Sequence, residues 1–183
     1  MSEYDESWNA VGLPEHRVNL YLAELVPEIE RLDTEGPPRD TEYPFVLSAG
    51  ERRSETTNTL VRDTGWHRKG HYGALRLNPA DAAALGCITG DTLRLSTRRG
   101  SALVVAEVTP MMQPGHVSLP NGQGLAYRAA DGSQMQAGVA PNELTDGSMR
   151  DFLAGTPWHK HVPARLERFD RSGEERALCE AGA

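Results

Sequence analysis

The stretch that decides the fold is Tyr43-Pro44-Phe45-Val46-Leu47-Ser48-Ala49-Gly50. Its first half is apolar and β-prone, which predicts a buried strand, and this strand runs directly into small residues. A strand that ends in small residues lets another backbone or a ligand approach closely. We therefore predict that the main domain begins here and that the end of its first strand forms part of a binding site.

A long polar segment follows this strand. Residues 51–72 have no apolar periodicity, but they are rich in Ser, Thr, Asn, Arg and His. Long loops inside a compact domain are usually functional or flexible. Between positions 51 and 76 six bases face three acids, so this part of the chain has the local positive charge needed to hold an anion.

Further short strands are predicted downstream, from apolar alternation and β-branched content, at 75–77, 92–97, 101–108, 116–120 and 162–169. Asn78 as N-cap, Pro79 at the first position and Gly86 as C-cap predict a short helix between them. The segment 121–141 is rich in Gly, Ala and Gln and is expected to loop over the sheet. About six short strands with one or two brief helices predict a mainly β fold, a small β-barrel.

The net negative charge of the chain is confined to its first 42 residues. Residues 1–42 carry eleven acids against three arginines, whereas residues 43–183 carry fifteen acids against sixteen bases. The chain has no global basic excess and no basic patch interleaved with aromatic residues, so no nucleic-acid partner is expected. The acidic extension is instead expected to dock on a partner or to act as a linker.

Two short elements are predicted within the extension. The alternation of apolar residues over 17–22 predicts a strand, and Leu25, Ile29 and Leu32 predict a short amphipathic helix. We expect the chain to divide into this extension (1–42), the barrel (43–169) and a charged, flexible tail (170–183).

Composition also limits location and chemistry. No run approaches the ~20 apolar residues needed to cross a bilayer, and the opening Met-Ser-Glu-Tyr-Asp-Glu lacks the pattern of a secretory signal. We expect a cytoplasmic location and no membrane partner. The only cysteines, Cys87 and Cys179, lack the CxxC spacing of zinc, iron–sulfur or thiol redox sites, so no metal ligands are assigned.

Several short stretches stand in a characteristic order along the barrel region. They are Phe45 to Arg53, Asn58-Thr59 with Arg62, Leu77 to Ala82 with Leu85-Gly86, Gly90-Asp91, Arg99-Gly100, Pro114 to Val117, Asn142 to Thr145 and Gly155-Thr156-Pro157. Together they resemble the C-terminal molybdopterin-dinucleotide-binding domain of the molybdenum and tungsten bis-pterin oxidoreductases, the dimethyl sulfoxide reductase and formate dehydrogenase family. The resemblance implies a double-psi β-barrel that binds a molybdopterin guanine dinucleotide.

The residues after the first strand suit such a ligand on chemical grounds. A pyrophosphate needs close backbone approach, exposed amide donors and a fixed cation. Ser48 and Gly50, followed by Arg52 and Arg53, offer all three. Glu51 is suited either to accept hydrogen bonds from guanine or pterin amino groups or to pair with an arginine, and both interpretations stay open here.

Other candidate ligands lie further along the chain. Thr56 and Asn58 offer short hydrogen-bonding groups for a pterin edge or a phosphate, although each also suits an ordinary turn. The resemblance adds Asn142, which aligns with a cofactor-facing Asn of the family, and Lys160, which matches a basic position near the family's C-terminus. The alternatives are a cap or turn role for Asn142 and a solvated surface position for Lys160.

The resemblance covers only part of a complete enzyme. In the family, another domain supplies the metal ligand, and an N-terminal Cys cluster often binds iron and sulfur; neither has a counterpart here. The expected function is therefore a cofactor-binding module or subunit, not catalytic in isolation, that works with a large catalytic subunit or the remaining domains. One alternative is a double-psi barrel that binds proteins and no nucleotide. Another is a self-processing enzyme at Gly100-Ser101.

Overall fold

The computed structural model describes residues 4–10, 12–13, 15, 18–34, 40–53, 73–151 and 154–169. The chain forms two compact units, residues 1–38 and residues 39–183. In these described ranges every helix is too short or too polar to cross a lipid bilayer.

The N-terminal unit contains short helical segments. Its 3-10 helices are Tyr4–Ala10 and Ala23–Leu25, and the second leads into α1, Val26–Leu32, which confirms the predicted helix. The strand predicted over 17–22 was wrong, since residues 18–22 form no strand. A strand needs a neighbour for its backbone hydrogen bonds, and Leu20, in the middle of this segment, is 92% exposed.

The second unit is built around a closed six-stranded barrel. Along the chain its strands are β1 (Phe45–Glu51), β2 (Leu75–Leu77), β3 (Thr92–Thr97), β4 (Ser101–Val108), β5 (His116–Pro120) and, after the hairpin of β6 (Ala126–Arg128) and β7 (Gln134–Gln136), β8 (Val162–Arg168). The spatial order is β1-β5-β2-β4-β3-β8, with β8 closing on β1. The predicted mainly β fold and double-psi barrel are confirmed, and the β6–β7 hairpin lies where only a loop was predicted.

Two pairs of neighbouring strands run parallel, β1 with β5 and β2 with β4. The barrel interior is filled by inward-facing aliphatic side chains that are fully buried: Leu47, Leu75, Leu77, Leu93, Leu95, Val117 and Leu119. Burying one such side chain contributes about 1.5–3 kcal/mol. This core fixes the strand ends at which the candidate site lies.

The predicted helix after β2 is α2, Pro79–Leu85. The Asn78 side chain accepts a hydrogen bond from the Ala80 N–H at 2.8 Å, and Gly86 ends the helix with φ +65°, so both predicted caps are confirmed. Asp81 accepts a hydrogen bond from the Gly115 N–H at 2.8 Å. This bond ties the start of the helix to the turn before β5.

A β-bulge at Gly50 shapes the end of β1. Ala49 pairs with Leu119 and Glu51 pairs with Pro120, so Gly50 is an extra residue between two consecutive partners. Its φ of +79° is readily adopted only by glycine. The carbonyl groups of Ala49 and Gly50 both face the segment that precedes β8.

Candidate functional site

A cleft of about 540 Å³ lies where the parallel strands β1 and β5 end. Its size falls within the ~300–1,000 Å³ range of small-molecule sites. Four segments form its walls: the end of β1, the residues after β5, the 3-10 turn Pro141–Glu143 and the residues before β8. The lining residues are Ala49, Gly50, Arg52, Asn121, Gly122, Gln123, Leu125, Ala140, Pro141, Asn142, His159 and Lys160.

Two cations line this cleft, Arg52 and Lys160, and none of the described lining residues is an acid. The Lys160 ammonium donates to the Ala49 carbonyl at 2.9 Å and to the Gly50 carbonyl at 2.7 Å. The Ala49 N–H in turn donates to the His159 carbonyl at 2.7 Å. The bulged end of β1 therefore holds a cation at the cleft wall, and two of the three ammonium donors are used within the described part of the chain.

The electrostatic environment of Lys160 favours an anion. Burial lowers the pKa of the Lys160 ammonium below its usual value, Glu51 opposes this shift, and the positive charge of Arg52 adds to it. Two cations that share a cleft repel each other, and an anion placed between them removes that cost. The cleft thus has the charge that a phosphate or pyrophosphate group requires.

Three neutral amide side chains, Asn121, Gln123 and Asn142, also line the cleft. Gln123 is only 4% exposed, and its Oε1 accepts no hydrogen bond from the described residues. A buried acceptor without a donor is costly, so a water molecule or a ligand N–H group that reached this oxygen would offset that cost. A Cβ on Gly124 would overlap the Ala140 backbone, so the two segments bounding this wall are in close contact.

The other side of the β1 end carries a cluster of charges rather than a cleft. Glu51 accepts hydrogen bonds from the Arg53 Nε at 3.1 Å, from the Arg76 Nη1 at 2.5 Å and from the Ser118 hydroxyl at 2.8 Å. Glu107 accepts from the Arg76 Nε at 3.1 Å and from the Arg53 Nη1 at 3.4 Å. We call Glu51, Arg53, Arg76 and Glu107 the ion-pair cluster.

Arg53 is the most buried member of the ion-pair cluster. Its side chain is 8% exposed, and its Nη2 also donates to the Ala74 carbonyl at 2.8 Å. Burial raises the pKa of the Glu51 carboxyl, but the Ser118 hydrogen bond and the charges of Arg53 and Arg76 outweigh it, so the pKa is lowered overall. Glu51 is therefore held as a carboxylate by its arginine partners.

The sequence-predicted site residues are thus divided between the two sides of β1. Gly50, Arg52, Asn142 and Lys160 line the cleft together. Glu51 and Arg53 lie in the ion-pair cluster, so the arginine-pairing alternative for Glu51 is the one observed. Ser48 is half-buried within β1 and pairs with Ser118, and it does not line the cleft. Thr56 and Asn58 lie outside the described residues.

Sequence reasoning missed the wall formed by Asn121 and Gln123. These residues directly follow β5, and they reach the cleft because β5 runs parallel to β1, so that both strands end at the same edge. The small and polar residues after Pro120 were the available signal. Their position at the cleft depends on the parallel pairing of β1 with β5. The local sequence pattern does not show this pairing.

Fold and site together define a small ligand-binding β-barrel with an anion-accepting cleft at one strand edge. The family model described as "Molydopterin dinucleotide binding domain" matches residues 45–163, and the chain belongs to this family. The match includes every cleft-lining residue, from Ala49 to Lys160.

Curated relatives are much longer proteins. The chain is 26% identical over 195 residues to the dimethyl sulfoxide/trimethylamine N-oxide reductase of Cereibacter sphaeroides, with 91% of this chain and 23% of the relative covered. It is 34% identical over 133 residues to the dimethyl sulfoxide reductase DmsA of Escherichia coli K12, with 68% of this chain and 15% of the relative covered. The chain thus spans less than a quarter of the length of either protein.

Among solved structures, the chain is similar to the acetylene hydratase from Pelobacter acetylenicus. The TM-score is 0.53 at 18% sequence identity, over 86% of this chain and 21% of that chain. At this identity the likeness shows a common fold and carries no information on activity.

Proposed function

We propose that this chain holds a molybdopterin guanine dinucleotide in the cleft, as one part of a molybdenum or tungsten oxidoreductase. The observation that carries the proposal is the pair of cations, Arg52 and Lys160, at the bulged end of β1, in a cleft whose described lining residues include no acid. Both residues lie inside the region matched by the family model. A dinucleotide carries a pyrophosphate, which is the group that such a pair neutralises.

The cleft residues fit different parts of the ligand. Gly50, which has no side chain, lets the ligand approach the backbone, and Arg52 and Lys160 supply positive charge. Gln123 and Asn142 line the cleft, and an amide side chain has both a donor and an acceptor to offer to guanine or pterin. Thr56 and Asn58 stay predictions as further ligands, because they lie outside the described residues.

The bound cofactor would supply a redox-active metal, and this chain would bind only the organic part of the cofactor. In the described residues no group of three His, Cys, Asp or Glu side chains is arranged to hold a metal ion. The metal ligands and the redox substrate site are therefore assigned to the remaining domains or to a large catalytic subunit, in keeping with the small share of its relatives that the chain spans.

The N-terminal unit is proposed as the contact with that partner. Val18, Leu20, Tyr21, Ile29 and Leu32 are large apolar or aromatic residues that are more than half exposed, in a region with a net charge of −8 (three arginines against eleven acids). A contiguous apolar patch marks an interaction surface, and the grouping of these five residues within positions 18–32 supports such a surface here. A partner surface with an apolar centre and a basic rim fits it, and the association is expected to weaken with salt.

The proposed function is tested by the cofactor content of the native protein. We expect the chain, isolated from its host under mild conditions, to release guanine nucleotide on acid treatment and to copurify with a molybdenum- or tungsten-containing polypeptide. Arg52→Ala should lower the retained guanine nucleotide about tenfold, because one charge-assisted contact to a phosphate is worth ~1.5–3 kcal/mol.

A matched control is available on β8. Arg165 is an exposed arginine that pairs with Glu167 at 3.5 Å and does not line the cleft, so Arg165→Ala should leave retention unchanged. A native preparation with no guanine nucleotide, or equal losses in both variants, would contradict the proposal. An empty barrel that binds a peptide partner instead would favour the protein-interaction alternative.

The cytoplasmic location stays a prediction, to be checked by cell fractionation.

A further inference from the structure

We infer that the two neighbouring arginines have different tasks: Arg52 contacts the anionic ligand, whereas Arg53 is a positioning residue that acts through the ion-pair cluster. This inference rests on the proposed function, because it assigns the parts of the same ligand site. Beyond the proposed function, Arg53 lies outside the cleft and yet determines how tightly the cleft binds its anionic ligand.

The ion-pair cluster forms a row across neighbouring strands of the barrel. Ser118 on β5 pairs with Arg76 on β2, and Arg76 pairs with Glu107 on β4. Glu51, at the end of β1, contacts both Ser118 and Arg76. The row therefore connects four adjacent strands, β1, β5, β2 and β4, and provides a rigid base for the segment that leaves β1.

Arg53 attaches that segment to the row. Its guanidinium contacts Glu51 on β1, Glu107 on β4 and the Ala74 carbonyl just before β2. The cluster contains two arginines and two glutamates, so its formal charge is balanced. Moving Arg53 to an incoming phosphate would leave Glu107 and the Ala74 carbonyl short of a donor in a half-buried place, which is costly.

Arg52 stands in the opposite situation. Successive side chains of an extended segment point to opposite sides, and here Glu51 and Arg53 lie in the cluster while Arg52 lies at the cleft. Arg52 is exposed and close enough to Lys160 for its charge to lower the pKa of that ammonium. The attachment of residues 51 and 53 restricts the backbone at residue 52, so Arg52 is held ready for the anion and loses less entropy on binding.

The test measures guanosine diphosphate binding by calorimetry, well below the unfolding temperature. Two variants are compared, Arg52→Lys and Arg53→Lys. Both keep the positive charge, but lysine lacks the planar guanidinium with which Arg53 reaches three acceptors. We expect Arg52→Lys to stay within about threefold of wild type, and Arg53→Lys to lose about five- to tenfold in affinity. Because Arg53 acts through Arg52, adding Arg53→Lys to Arg52→Ala should cause no further loss.

Glu107→Gln provides a second variant that does not alter either arginine. It weakens the attachment of Arg53 from β4, so we expect a loss of about two- to threefold, and Arg165→Ala again serves as the control. An Arg53→Lys protein with a lower unfolding temperature but unchanged affinity would overturn the inference and leave the proposed function standing. Additive losses in the double variant would show that Arg53 acts independently of Arg52 and would also overturn it. A wild-type chain that binds neither guanosine diphosphate nor the purified cofactor would overturn both.

Discussion

The two sides of the β1 end use the same kinds of residue for opposite purposes. On one side, Glu51, Arg53, Arg76 and Glu107 satisfy each other, and the charge is balanced within the protein. On the other, Arg52 and Lys160 face a cleft in which none of the described lining residues is an acid. The first arrangement gives a fixed structure, and the second leaves charge available for a ligand. Whether an arginine binds a ligand is thus decided by what its neighbours already neutralise.

The largest expected difference between the two sides is in stability. Arg53→Ala should lower the free energy of unfolding by about 2–4 kcal/mol, because it leaves two half-buried carboxylates with one arginine. Arg52→Ala should change it by less than about 0.5 kcal/mol, as for an ordinary surface substitution. Urea unfolding of both variants measures this contrast. Equal changes in the two variants would contradict the division.

The next effect concerns the bulge that joins the two sides. Gly50→Ala should lower the free energy of unfolding by about 1–2 kcal/mol, because its φ of +79° is strained for any residue with a Cβ. Gly115, with φ +76° and open space around it, is the matched control and should cost a similar amount on substitution. Only Gly50→Ala should also weaken guanosine diphosphate binding, since Gly50 lines the cleft.

The ion-pair cluster should also show in the pH dependence of stability. The folded-state pKa of Glu51 is lowered, so the unfolded chain binds more protons and the stabilisation is present above the unfolded pKa. It should be lost as the pH falls through the lowered folded-state pKa. The difference in unfolding free energy between wild type and Glu51→Gln should therefore shrink on acidification. A difference that stays constant down to acidic pH would contradict this origin.

The smallest effect is on the cleft side. Binding of inorganic pyrophosphate should raise the pKa of Lys160, because an anion favours the charged ammonium and offsets the burial and the Arg52 charge that lower this pKa. Titration of the lysine side-chain NMR signals, with and without pyrophosphate, measures the shift. Lys69, the only other lysine, serves as the internal reference.

The sequence predicted the barrel well because its local signals agreed with one another. The residues around α2, Asn78, Pro79 and Gly86, act as their types suggest, and the short strands follow their apolar alternation. The strand predicted at 17–22 was wrong because alternation alone does not supply a neighbouring strand. A local pattern predicts a strand or helix most reliably when the neighbouring element that buries it also lies within the described residues.

The candidate site was only partly predictable for a related reason. Gly50, Arg52, Asn142 and Lys160 could be named from residue type and family order, and they do meet in one cleft. The ion-pair cluster could not be foreseen, because Arg76 and Glu107 are 25 and 56 positions away from Glu51. Their contacts depend on the order of strands in the barrel, and this order decides that Arg53 is already neutralised.

Closure of the barrel also limits how another protein can attach to it. In a closed barrel each strand has a neighbour on both sides, so none of the six barrel strands is an edge strand along its whole length. The β6–β7 hairpin differs, because its two short strands pair only with each other. Among the described strands, this hairpin therefore offers the most open edges to a partner that joins by strand addition, and it lies beside the cleft wall from which it extends.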